Sequence, residues 1–87
     1  MNEPDTFIAT ITDDSRSFEE DMDLPSNMPV SELSRQILMI LKEIHEDKFA
    51  AWGVCHLESN NIVLNKDDTL IKAGVFDGSR IIVREGA

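Results

Sequence analysis

Cys55 and His56 stand side by side, and a thiol next to an imidazole is the raw material of nucleophilic catalysis. In an extended segment, neighbouring side chains point to opposite faces, so these two cannot meet. Cys55 shares its face with Gly53 and Leu57, the inward one, where cysteine behaves as a small core hydrophobe. His45 and His56 are the only histidines, and no Cys, His or carboxylate set recurs at metal-ligand spacing. Both histidines are expected to face solvent. Glu19-Glu20-Asp21 and Asp67-Asp68 are acidic runs on a hairpin edge and a turn, with no cleft beside them. Paired carboxylates do acid–base work only when their environments differ sharply, and nothing here sets these apart. Gly74 and Gly78 serve turns and do not spell a phosphate-cradling loop. The pattern therefore points to no catalytic residue, no metal ligand and no cofactor.

The elements that would carry these residues can be read from periodicity. Phe7 to Thr12 is rich in β-branched residues and ends at Asp13-Asp14-Ser15, a turn signal. Phe7, Ala9 and Ile11 should face one way, and Ile8, Thr10 and Thr12 the other. Phe18 to Leu24 reads as a second strand with Met22 and Leu24 inward, completing an acidic hairpin. Pro29 suits the first turn of a helix, and Glu32 sits where the helix dipole favours an acid. Val30, Leu33, Ile37, Ile40, Leu41 and Ile44 then form one buried stripe at helical spacing, ending near residues 45–47. Trp52 to Glu58, Ile62 to Leu64 and Arg80 to Arg84 read as three further strands. The order is β-β-α-β-β-β, an α+β arrangement with one helix on a mixed sheet of about five strands.

The chain has 87 residues, enough for one domain, and a chain of this size buries only about 60–65% of its unfolded surface. One compact core fits; a deep, walled cleft does not. The net charge is −9. Residues 1–25 carry eight acids against Arg16, and the remainder carries nine acids against seven bases. Such a balance disfavours nucleic acid and anionic membranes, both of which need a basic face. The plain reading of the hairpin is a solvated acidic surface, although a basic protein partner would also suit it. A single cysteine allows no internal disulfide, the first residues lack a secretory signal, and the longest apolar run is too short to cross a bilayer. A cytoplasmic location is expected, with residues 1–5 flexible.

Leu64-Asn65-Lys66-Asp67-Asp68-Thr69-Leu70 and Ala73-Gly74-Val75-Phe76-Asp77-Gly78, running into a last strand, resemble the corresponding stretch of ubiquitin-like (β-grasp) proteins. With the Leu24-Pro25-Ser26 and Met28-Pro29-Val30 approach to the helix, the chain most resembles the YukD/EsaB family. These are small ubiquitin-like proteins of Gram-positive type VII (WXG-type) secretion systems. The resemblance implies sheet order 2-1-5-3-4 and a non-catalytic, cytosolic accessory or regulatory role, bound to a protein of the secretion machine. The alternative is a sulfur carrier of the ThiS or MoaD type, or a conjugated modifier. Those resemble the same fold but need a free diglycine end, and here Gly86 is followed by Ala87.

With that strand order, the open face of the sheet gathers the first candidate surface. Ile8, Val54 and Ile82 should cluster there, rimmed by His56, Thr10, Arg80 and Arg84. Glu58 stands where ubiquitin has its central isoleucine, so a ubiquitin receptor is not expected to bind. A second candidate surface, for a homodimer or a docking protein, comprises Phe18, Leu38, Met39 and Trp52. The plainer alternatives are scattered surface apolars for the first set, and closure of one core end by Phe49 and Trp52 for the second.

Overall fold

The computed structural model describes residues 5–86. The expectation of flexibility for residues 1–5, Asp5 apart, falls outside the described residues, as does Ala87. Two strands, β1 (Thr6–Thr12) and β2 (Glu19–Pro25), precede the helix α1 (Val30–Ile44) and a one-turn helix α2 (Glu46–Phe49). Strands β3 (Cys55–Ser59), β4 (Ile62–Val63) and β5 (Arg80–Glu85) follow. They form one five-stranded sheet ordered β2-β1-β5-β3-β4, the order that the ubiquitin-like resemblance implies. Only the central β1–β5 pair is parallel, with Ile11 level with Ile81.

Alternation along the strands makes the core. Ala9 and Ile11 on β1, Leu57 on β3, and Ile81 and Val83 on β5 all point inward and are buried. Leu33, Ile37 and Leu41 of α1 are fully buried against that layer. The helix begins at Pro29, which offers no side-chain cap. Instead, the Val30 and Ser31 amides donate to the Asp68 and Lys66 carbonyls, at 2.7 and 3.0 Å. The 65–68 turn thus supplies acceptors to two of the donors that every helix start leaves unsatisfied. Gly74 and Gly78 adopt φ of +81° and +87°, a conformation that disfavours side chains, so each is required by its turn.

Several expectations need correction. Ile40 and Ile44 are exposed, while Leu38 is buried. The Cys55 thiol donates to the Ser34 carbonyl, and Gly53 lies beside Leu38, so the start of β3 covers that flank of the helix. Cover is therefore lopsided: the Leu38 side is roofed, and the Ile40 side hangs clear. Residues 52–54 lie outside the strand, which begins only at Cys55, and the α2 turn was absent from the periodicity reading. Strand β4 stops at Val63, with Leu64 already buried beyond it. Thr12 is buried although its neighbours Ile8 and Thr10 on the same face are not. Its hydroxyl donates 2.7 Å to the Phe18 carbonyl, which the hairpin turn brings over it.

The lopsided cover predicts a lopsided response to truncation. Ile37→Ala should cost about 2–5 kcal/mol in urea unfolding, as other fully buried sites do. Ile44→Ala should cost less than about 1 kcal/mol. Equal costs would show that the helix sits differently on the sheet.

Candidate protein-binding face

The register decides what the open face of the sheet brings together. Thr12 is level with Ile82, so Ile8 lies four residues back along the strands, about 13 Å away at the usual rise. Val54 lies a similar distance beyond Ile82 in the other direction, since Cys55 pairs with Glu85 and the Gly86 amide donates to the Val54 carbonyl. Ile8, Val54 and Ile82 do not cluster; they mark the two ends and the middle of one face. Ile8 and Val54 are exposed and Ile82 is half-buried. His56 is exposed, level with Arg84 on β5. Arg84 is no free rim charge, because it is ion-paired with both Glu58 and Asp14. The hydrogen bond to Glu58, seconded by Asp14, holds its guanidinium above its ordinary value.

A different group gathers at the Ile8 end. The Ile8 amide donates to Asp77 Oδ1 at 2.9 Å, and its carbonyl accepts from the Gly78 amide at 2.8 Å. These bonds strap the 76–79 loop onto β1 and leave Phe76 64% exposed, close to Ile8 at 56%. Beside them opens a groove of about 370 Å³ lined by Phe76, Ser79, Arg80, Ile82 and the Ser59-Asn60-Asn61 turn. Val63, exposed and paired with Glu58, continues the same face on β4. Phe76 was missed as a surface residue. Its signal was local: Val75 belongs to the core and Asp77-Gly78 is a turn, so the intervening phenylalanine had nowhere to go but out.

The second expected surface is mostly core. Phe18 is buried and meets Phe49 edge-on at 5.3 Å; Phe49 meets Trp52 edge-on at 4.8 Å, and Trp52 is half-buried. Leu38 is buried as well, and of the four only Met39, 65% exposed, is surface. His45 is drawn into this aromatic end at 5.2 Å from Phe18 and bonds Glu20 at 2.9 Å, so it does not simply face solvent.

The acidic hairpin also differs from a merely solvated surface. Asp13 meets Lys48 at 3.0 Å, Glu19 meets Arg80 at 2.6 Å, and Asp21 accepts from Thr10 at 2.8 Å. Asp13 takes further bonds from the Ser17 amide and hydroxyl, at 2.8 and 2.5 Å. Burial alone would raise its pKa; the bonds from Ser17 and Lys48 outweigh that and hold it well below the usual carboxylate range. Burial pushes the Cys55 thiol up to about 11, which leaves it protonated and unreactive at neutral pH. Among the described residues, no three His, Cys, Asp or Glu side chains gather so as to hold a metal ion.

With this geometry in hand, the comparisons are specific. The family model for the WXG100 protein secretion system (Wss) protein YukD matches residues 8–83. The chain belongs to the YukD family. Among solved structures, this YukD-family chain is similar to the ubiquitin-like domain of the type VII secretion system protein ECCD1 of Mycobacterium tuberculosis. They share 27% identity at a TM-score of 0.73, over 90% of this chain and 96% of that one. It is also similar in fold to the EccD5 ubiquitin-like domain of Mycobacterium xenopi, with 17% identity, a TM-score of 0.78, and 95% and 97% of the two chains covered. A chain of the MycP5-free ESX-5 inner membrane complex has the same fold at 19% identity and a TM-score of 0.79. There, 97% of this chain matches 22% of that one. No curated protein sequence matches. The fold is ubiquitin-like, and no helix among the described residues is long and apolar enough to cross a membrane.

The Asp13 bonds make hairpin stability depend on pH with a definite sign. A carboxylate whose folded pKa is depressed stabilises fully above its unfolded value and loses that contribution as pH falls toward the folded one. At pH 7, Asp13→Asn should lower unfolding stability by up to about 1.5–3 kcal/mol, the range for hydrogen bonds to a charged group. From about pH 4 downward the gap to the parent should narrow steadily. A gap constant with pH would show that the charge is not what matters.

Proposed function

We propose that this chain is a non-catalytic, cytosolic, protein-binding component of a Gram-positive type VII (WXG-type) secretion system, with an accessory or regulatory role. The observation that carries the reading is the YukD family match over residues 8–83. The ESX-5 chain supports it, since the same fold there forms a part of a larger chain in an inner membrane secretion complex. The chain acts as one ubiquitin-like domain whose mechanism is rigid presentation: α1 and the inner sheet face fix the strands, and the outer face meets the partner. Of the sequence-expected contacts, Ile8 and Ile82 serve at the groove end, while Val54, His56 and Arg84 form the far end of the face. Met39 is left as a separate surface on α1. The chemistry of the interior agrees with this role, because its one thiol is buried, protonated and bonded to the Ser34 carbonyl.

The test uses purified chain and purified cytosolic domains of type VII secretion components from the same source, with affinity read by calorimetry. At least one domain should bind with a dissociation constant of about a micromolar or tighter, roughly 8 kcal/mol. Two results would overturn the reading: no binding to any component, or an adenylate on this chain, seen by intact mass after incubation with an activating enzyme and ATP.

A further inference from the structure

We infer that the Ile8–Phe76 end of the open sheet face docks a cationic segment carrying large apolar side chains, supplied by the partner protein. The inference deepens the protein-binding reading above and rests on it. Ile8 and Phe76 are both more than half exposed, and they stand beside a groove with Ile82 in its wall. Exposed apolar residues rimmed by charge mark interaction sites, and here the rim charges outside ion pairs are acidic. Asp23 lies directly across from Ile8 on β2, Asp21 across from Thr10, and Asp77 bonds the Ile8 amide. All three are exposed. No ion pair engages them among the described residues, whereas Arg80 and Arg84, the cations of this face, are neutralised by Glu19, Glu58 and Asp14. The face therefore offers apolar contact area beside three carboxylates that no ion pair among the described residues neutralises. Lysines or arginines flanking an apolar anchor satisfy both features, and the charge would steer the encounter as well as hold it. An acidic or purely polar segment would meet like charge around a greasy centre.

The experiment is an amide-resolved NMR titration of the full chain with a twelve-residue synthetic peptide of alternating lysine and leucine, next to its glutamate-for-lysine counterpart. The lysine peptide should shift residues 8, 21–23, 60–63 and 76–80, and the glutamate peptide none of them. Phe76→Ser, exposed and so safe for folding, should weaken binding about tenfold or more, as expected for an apolar anchor. Asp23→Asn with Asp77→Asn keeps the oxygen that accepts from Ile8 and removes two charges; binding should fall about three- to tenfold. Glu43→Gln with Asp47→Asn removes the same charge from the helix side and should change affinity by less than about twofold. Equal losses from the two charge pairs, or unaltered binding by Phe76→Ser, would reduce the effect to general attraction and overturn the inference. Concentration-dependent shifts of the same residues in the chain alone would also overturn it, by making a second copy the occupant. Any of these results, with capture of a secretion component intact, would leave the protein-binding reading standing.

Discussion

Leu33, Ile37 and Leu41, fully buried against Ile11, Leu57 and Ile81, are the contact on which the rest of the molecule depends. In a sheet with one parallel pair and three antiparallel ones, the turns fix register only within the β1–β2 and β3–β4 hairpins, not where β5 joins them. There the helix stripe holds it, because a slip of one residue would turn every inward side chain out. With that register fixed, the outer face is fixed too. Its residues are where they are because their neighbours are inside.

The second constraint is charge. The hairpin is acidic enough to repel itself, and the fold answers by lending it cations from elsewhere: Lys48 from α2, and Arg80 and Arg84 from β5. Each such pair is partly exposed and worth little alone, but together they tie the hairpin to the helix end and to the last strand. The consequence for function is indirect. Cations spent inside the molecule are not available on its surface, so the open face is left negative around Ile8 and Phe76.

Helix span and most inward faces could be read from the sequence because they follow from periodicity and from turn residues such as Asp77-Gly78, whereas the strand order is what the resemblance to ubiquitin-like proteins implies. What could not be read is what three-dimensional cover adds. By spacing Ile40 and Ile44 belong to the buried stripe and Leu38 and Phe18 look peripheral, yet Leu38 and Phe18 are covered by residues 53–55 and by Phe49, while Ile40 and Ile44 are exposed. The surface was legible only in part for a related reason. Ile8, Val54 and Ile82 share a face by parity, but the parallel β1–β5 offset spreads them along it, and an offset leaves no mark in a single strand's sequence. Arg84 has the look of a free rim charge until Glu58 and Asp14 arrive beside it.

Hydrogen exchange on the chain, free and with the partner protein proposed for it, tests the central claim most directly: an inert core that offers one end of its open sheet. Protection gained on binding should fall on the amides of 8, 60–63 and 76–80, with the buried strands unchanged. Protection gained instead along residues 36–44 of the helix would contradict the account.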